Sequence, residues 1–216
     1  MLKLSLLTLV VTLFSIAASA QPSRAYEVTI TNITPAQTFT PQLVVTHPAA
    51  AHLFVLGEPA SAELEVLAEA GDTGPLMDAL ANEAYDVQTI AGLLAPGDTA
   101  SVVVTGHPGR GHISIGAMLI PTNDTFVALD AVRLPRSGSV TNLLRAYDAG
   151  TEYNTQNCDN IPGPTCGPDL FDPSDPDVGF VHIGNGFQEL GDDVLSPHPY
   201  DGGSAVAKAV ITRLTN

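Results

Sequence analysis

Four acidic side chains in segment 121–152 are the residues of this sequence best suited to chemistry: Asp124, Asp130, Asp148 and Glu152. The first two flank an apolar run typical of a strand, and the last two lie in a turn that contains glycine. Grouped carboxylates suit a hard cation such as Ca²⁺, which takes about 6–8 oxygen ligands. The spacing therefore predicts a calcium site built from loops, in a protein that binds rather than turns over a substrate.

Two other groups of potential metal ligands are weaker candidates. Asp172, Asp175 and Asp177 could form a second cation site, but they lack the Gly and Glu positions of an EF-hand loop, so a solvated loop is the favoured interpretation. A zinc or copper site would need three histidines to converge. The histidines are His47, His52, His107, His112, His182 and His198.

Catalysis has little support in the sequence. No serine lies in a Gly-x-Ser-x-Gly turn, and no Gly-rich phosphate-binding motif is present. Paired carboxylates leave one alternative open, a secreted metal-dependent hydrolase that uses the acidic loops. The absence of Trp and an aromatic content of 6% argue against a platform for stacking sugars. We expect a protein that is not an enzyme.

The first twenty residues, Met1–Ala20, have the pattern of a secretory signal. Lys3 supplies the positive start, Leu4–Ala17 the apolar run, and the small residues 18–20 the cleavage site. The mature chain, 21–216, is then predicted to be one domain that is secreted, periplasmic or on the cell surface. No later stretch is long and apolar enough for stable membrane insertion.

The charge balance limits the class of partner. A formal net charge of −15 argues against nucleic acid and against anionic lipid, both of which need a basic surface. It is compatible with divalent cations and with an unidentified extracellular protein or glycan as partner. The two cysteines, Cys158 and Cys166, are expected to form a disulfide in an exported chain.

The order of secondary structure predicts an all-β fold. Alternating or β-branched apolar runs predict strands over 26–33, 42–47, 100–105, 112–120, 126–134, 140–146, 180–183 and 205–214. Ser61 and Gly71 bound a predicted helix, and a second helix is predicted over 75–83. Seven or eight short strands with a small helical insertion favour an antiparallel β-sandwich.

Several stretches of the chain resemble the spondin N-terminal domain family. The most specific is Tyr147–Glu152, which reads Tyr-Asp-Ala-Gly-Thr-Glu. The other stretches are Tyr26–Ile33 with Phe39–Pro41; His52–Phe54 with Gly57–Ser61 and Leu67–Gly71; Pro121–Asp130; and the last strand, Val206–Leu214.

This resemblance implies a C2-like β-sandwich with a calcium site in loops at one end. By motif, the ligands that it implies are Asp124, Asp130 and Asp148. It also implies a secreted protein with an adhesion or binding role. The chain departs from animal members at Phe126, where they tend to carry Trp after the aspartate, and at Glu152, where they often carry Asp.

Overall fold

The computed structural model of the chain describes residues 22–155, 161–164, 166, 177–186 and 204–215. Within these residues, two helices interrupt an architecture that otherwise consists of strands. The strands are β1 (Arg24–Asn32), β2 (Thr38–Phe39), β3 (Gln42–His47), β4 (Asp86–Ile90), β5 (Thr99–Gly106), β6 (His112–Ile120), β7 (Thr125–Arg133), β8 (Ser139–Asp148), β9 (His182–Ile183) and β10 (Ala205–Arg213). The helices are α1 (Ala62–Ala70) and α2 (Gly74–Leu80).

The strands form one antiparallel sheet that curls until its ends are close. Neighbouring strands follow the order β4, β3, β6, β7, β8, β10, β1, β5, with β2 beside β6 and β9 beside β8. Where the two ends meet, the Thr105 N–H donates a hydrogen bond to Asp86 Oδ2 at 2.7 Å. Close by, the Thr46 hydroxyl donates to the Thr105 carbonyl. This arrangement confirms the predicted antiparallel, sandwich-like fold with its small helical insertion.

Strand β6 shows why the fold has two apolar layers. It lies in the middle of the sheet and is buried along nearly its whole length. Ile113 and Ile115 point into the core that the curled sheet encloses. On the other face, a Cβ added at Gly116 would lie 3.3 Å from Leu53 and 3.8 Å from Leu67, so this face carries the helical layer. Because successive side chains of β6 point to opposite faces of the sheet, this strand borders both apolar layers.

Helix α1 begins and ends where the sequence predicts. Ser61 Oγ accepts a hydrogen bond from the Leu64 N–H at 3.2 Å, which caps the first turn. Gly71 has a φ of +70°, and a Cβ there would lie 2.5 Å from Thr40 Cγ2, so both the backbone and the space require glycine. Between these caps the apolar face of the helix, which includes Leu67, packs on the outer face of the sheet.

Two short strands, β2 and β4, lie outside the elements predicted from the sequence. In β4 the apolar residues are Val87 and Ile90, which do not alternate, and every residue of this strand is at least partly exposed. The pattern of a half-buried strand is therefore missing, and β4 is formed because β3 offers it a partner.

Some predictions fall on residues that the structure does not describe. The signal segment 1–20 and Cys158 lie outside the described residues, so signal cleavage and the disulfide stay predictions. Cys166 is described, and its N–H donates to the Gly163 carbonyl at 3.2 Å. Among the described residues, the helices are too short or too polar to cross a membrane.

We predict that Leu67→Ala destabilises the fold through the layer between α1 and the sheet. Leu67 is fully buried, so the truncation should lower the free energy of unfolding by about 2–5 kcal/mol. The matched control is Leu143→Ala, where 62% of the side chain is already exposed, and it should change stability by less than about 0.5 kcal/mol. Urea unfolding measures both, and equal losses would contradict the packing described for α1.

Candidate metal centre

The register between β7 and β8 places two carboxylates at one end of the sheet. Thr125, the first residue of β7, pairs with Asp148, the last residue of β8. Asp124 comes immediately before β7, and its carbonyl accepts a hydrogen bond from the Ala149 N–H at 3.2 Å. Asp124 and Asp148 are therefore adjacent in space although the whole of both strands separates them in sequence.

Asp124 has one satisfied and one unsatisfied carboxylate oxygen. Its Oδ2 accepts hydrogen bonds from the backbone N–H groups of Thr151 at 2.8 Å and Glu152 at 3.2 Å, and from the Thr151 hydroxyl at 3.3 Å. Its Oδ1 is buried and has no hydrogen-bond partner among the described residues. A fully buried carboxylate oxygen in this state is costly unless a cation or a proton neutralises the group.

Asp148 and Glu152 are held in place by neutral donors. The Gly150 N–H donates to Asp148 Oδ1 at 2.9 Å, and Asn154 Nδ2 donates to Asp148 Oδ2 at 2.8 Å. Glu152 Oε1 accepts from Asn123 Nδ2 at 3.2 Å. We call Asp124, Asp148 and Glu152 the carboxylate cluster. All three are buried, and none is more than 3% exposed.

A third segment, 177–183, packs against the carboxylate cluster. In β9, His182 pairs with Asp148, and the Gly179 N–H donates to the Gly150 carbonyl at 2.9 Å. Gly150 has a φ of +68°, and a Cβ there would lie 2.4 Å from the Phe180 carbonyl oxygen. Glycine at this position therefore lets the two loops touch through their backbones.

This segment brings two further potential ligands to Asp148. His182 Nε2 lies 3.2 Å from Asp148 Oδ1. Asp148, Asp177 and His182 each offer a ligand atom within 4.8 Å of the others. The site thus combines acidic side chains from three separate loops at the same end of the sheet.

The electrostatics of the carboxylate cluster favour a bound cation. Burial raises the pKa of Asp124 well above the ordinary carboxyl value, and the charge of Asp148 raises it further. Burial also raises the pKa of Asp148, although the Asn154 hydrogen bond and His182 oppose this rise. Neither aspartate forms an ion pair with lysine or arginine in the part of the chain that the structure describes. A cation between them would offset both burial and repulsion.

Asp130, the fourth residue predicted for the site, is not brought to the carboxylate cluster. It lies near the far end of β7, and six residues of extended strand carry the chain about 20 Å. Its Oδ2 lies 2.6 Å from His52 Nδ1, and its Oδ1 accepts from the Leu53 N–H at 2.8 Å and the Ser114 hydroxyl at 3.1 Å. Asp130 therefore fastens the loop after β3 to the sheet.

A β-bulge gives Asp130 this position. The register shifts so that Asp130 and Ala131 both lie opposite Ser114. Ala131 has a φ of +48°, and its N–H donates to Ser114 Oγ at 2.8 Å. His47 Nε2 lies 2.8 Å from the same hydroxyl. This buried network had no signal in the sequence, because a bulge and its partners become visible only once the strands are paired.

The site predicted from the sequence also omitted residues that the structure places beside the carboxylates. Asn123 and Asn154 orient two of the carboxylates, and His182, on the third segment of the site, contacts Asp148. Asp177 was assigned to a separate, weaker group with Asp172 and Asp175. The structure places Asp177 beside Asp148, whereas the other two aspartates of that group lie outside the described residues.

Comparison with known families identifies the family of the chain. The family model described as Spondin_N matches residues 24–163. The chain belongs to the Spondin_N family. The match spans the whole carboxylate cluster and ends before Asp177 and His182. No curated protein matches the chain significantly. Membership confirms the resemblance inferred from the sequence and assigns the chain to a family of extracellular domains.

We predict that Asp124 makes the metal-free protein less stable as pH rises, which is opposite to the effect of a carboxyl whose pKa is lowered by folding. A carboxyl whose pKa is raised by folding stabilises the fold at low pH, and this contribution is lost as pH rises from the ordinary carboxyl value through the raised one. Metal-free protein should therefore weaken as pH increases above about 4. Asp124→Asn should flatten this trend and stabilise the metal-free protein at pH 7 by about 1–3 kcal/mol, because it removes a buried charge.

Thermal unfolding in a chelator between pH 4 and 8 measures this effect. The matched control is Asp98→Asn, which removes the same charge from an exposed turn and should leave the pH profile unchanged. If Asp124→Asn were instead destabilising at pH 7 without metal, Asp124 would be a structural acceptor rather than an unpaired charge.

Proposed function

We propose that this protein is an exported calcium-binding module that uses its metal centre to organise a surface for another extracellular component. The observation that carries the proposal is the buried Asp124 Oδ1, which lacks a hydrogen-bond partner among the described residues and belongs to an aspartate next to Asp148. A divalent cation at this oxygen would join the loop before β7 to the loop after β8.

The chemistry of the donors supports Ca²⁺ over softer metals. The carboxylate cluster and Asp177 supply oxygen, and carboxylate, carbonyl and water ligands suit Ca²⁺, Mg²⁺ or Mn²⁺. Ca²⁺ accepts irregular sets of about 6–8 oxygens, whereas Mg²⁺ demands a near-ideal octahedron. Ligands drawn from three loops fit the more permissive ion. We assign His182 a supporting role, in which its ring lies beside the Asp148 carboxylate, with Nε2 3.2 Å from Oδ1.

Apolar side chains around the metal centre support a binding role. Tyr153, on the loop after β8, is 59% exposed, and Val178 and Phe180, on segment 177–183, are 51% and 41% exposed. Exposed aromatic side chains on a rigid support are common at sites of protein recognition. We propose that the bound ion fixes these side chains for a partner that is an extracellular protein or glycan, and that the protein is not an enzyme.

The hydrolase alternative has less support. A catalytic metal keeps an open position that faces a substrate cleft. Two clefts of the molecule, of about 390 and 580 Å³, contain no member of the carboxylate cluster in their lining. We therefore propose binding as the function.

We predict one saturable Ca²⁺ site per chain, tested by calorimetric titration of metal-stripped protein with Mg²⁺ as the control ion. At a Ca²⁺ concentration of about 100 times the Kd, binding should stabilise the fold by about 2.7 kcal/mol. Asp124→Asn combined with Asp148→Asn should abolish both the binding heat and the rise in Tm. A rise in Tm that persisted in this double variant would contradict the assignment of the ligands.

A second prediction addresses the partner. Immobilised protein should retain a component of extracellular matrix extracts in Ca²⁺ and release it in EDTA. Tyr153→Ser with Phe180→Ser should weaken this capture at least about thirtyfold, since a buried aromatic anchor commonly contributes 2 kcal/mol or more. Val103→Ser with Leu143→Ser, two exposed apolar residues on strands β5 and β8, is the matched control. Capture that is independent of metal and of both variants would favour a purely structural role for the ion.

A further inference from the structure

Half of the basic side chains of this acidic chain line a single cleft. The chain has 8 Lys and Arg residues and a formal net charge of −15. Arg24, Arg110, Arg136 and Arg213 all line a cleft of about 390 Å³. We call it the arginine cleft. Scattered surface charges would not produce such a concentration, so the arrangement calls for a physical explanation.

The arginine cleft lies at the opposite end of the sheet from the metal centre. Arg24 begins β1 and Arg213 ends β10, the strand that pairs with it. Arg110 lies in the connection between β5 and β6, and Arg136 in the connection between β7 and β8. Because β7 starts beside the carboxylate cluster and runs for nine residues, the two sites are about 30 Å apart.

Backbone carbonyls, not carboxylates, accept the hydrogen bonds of two of these arginines. The Arg213 guanidinium donates to the Arg136 carbonyl, and Arg24 Nη1 donates to the Ser23 carbonyl at 3.0 Å. The ion pairs of the described residues both involve histidine, so none of the four arginines is neutralised by a carboxylate there. Their positive charge is therefore available to a ligand.

Two details describe how the guanidinium groups of the arginine cleft are held. Arg213 Nε is buried and has no hydrogen-bond partner among the described residues. At Gly109 an added Cβ would lie 2.5 Å from Arg136 Nε, so the absence of a side chain lets this guanidinium lie against the backbone. Planar guanidinium groups bind carboxylate and phosphate oxygens through paired hydrogen bonds, which gives them geometric preference as well as charge attraction.

We infer that the arginine cleft binds a small ligand that carries two or more oxyanion groups, of the phosphate ester or polycarboxylate class. A volume of about 390 Å³ lies within the usual range of small-molecule sites. A long polyanion is disfavoured, because it would extend beyond the screening distance of about 8 Å to face a strongly acidic surface. This inference is independent of the proposed calcium function, since it uses none of the residues of the metal centre.

The test is a calorimetric titration of the purified protein with two weakly chelating probes, fructose 1,6-bisphosphate and tricarballylate. We expect saturable binding of at least one probe, which weakens as salt concentration rises. Tighter binding of the bisphosphate would assign the site to phosphate esters, and tighter binding of the tricarboxylate to polycarboxylates. An absence of saturable binding by both probes at low salt would overturn the inference.

Variants separate a specific site from general attraction. Arg110→Gln with Arg136→Gln alters two exposed arginines of the cleft and should weaken binding at least about tenfold, because hydrogen bonds to charged groups contribute about 1.5–3 kcal/mol. Arg145→Gln with Lys208→Gln removes the same charge from exposed positions outside the cleft and should leave affinity unchanged. Equal losses in both pairs would overturn the inference.

Calcium titration of the same variants makes the two proposals separable. The Ca²⁺ affinity of Arg110→Gln with Arg136→Gln should match that of the unmodified protein, which also shows that this variant is folded. Loss of anion binding with intact Ca²⁺ binding supports the inference. A protein that binds neither probe but binds Ca²⁺ keeps the proposed function and loses only the arginine cleft as a ligand site.

Discussion

The burial of Asp124 beside Asp148 is the constraint on which the functional end of this molecule depends. Removing a carboxylate from water is costly, and a second carboxylate nearby increases the cost. Backbone N–H groups of the following loop satisfy one oxygen of Asp124 and leave the other without a partner among the described residues. A fold that keeps such a pair must neutralise it, either with protons at low pH or with a cation at neutral pH. The calcium proposal rests on this requirement.

The pairing of β7 with β8 is what brings Asp124 and Asp148 together. Because Thr125 pairs with Asp148, the residue before β7 and the last residue of β8 must lie side by side. The same register fixes β9 against β8 and so places His182 next to Asp148. The loops of the site have little freedom once these strands pair, which makes the site an extension of the sheet. Ion binding and fold stability should therefore change together.

The sequence predicted the parts of the fold that are governed by local chemistry. Alternation in β1, the β-branched run of β3 and the caps at Ser61 and Gly71 each depend on neighbouring residues, and the structure has them where they were expected. β4 was missed because its weak pattern acquires meaning only beside β3. The limit of sequence reasoning here is long-range pairing, not local propensity.

The residues of the candidate site also differ in whether the local sequence could place them in the site. Asp124, Asp148 and Glu152 could be grouped from sequence because they occupy loop positions near the ends of two consecutive strands. Asp130 was grouped with them partly because it is close in sequence. A strand has a large rise per residue, however, so six residues of strand carry Asp130 away from Asp124. Asp177 was grouped with two other aspartates of a later loop. The contact between Gly150 and segment 177–183 instead places it beside Asp148.

The distribution of charge extends this argument to the whole molecule. A chain with a net charge of −15 is subject to self-repulsion, and an even spread of its few basic residues would reduce that repulsion best. The structure has the opposite arrangement, since four arginines share one cleft while buried carboxylates share the other end. Under the two proposals, each end would gain stability from a ligand of opposite charge. Because about 30 Å separates them, well beyond the screening length at physiological salt, the two ends should bind their ligands independently.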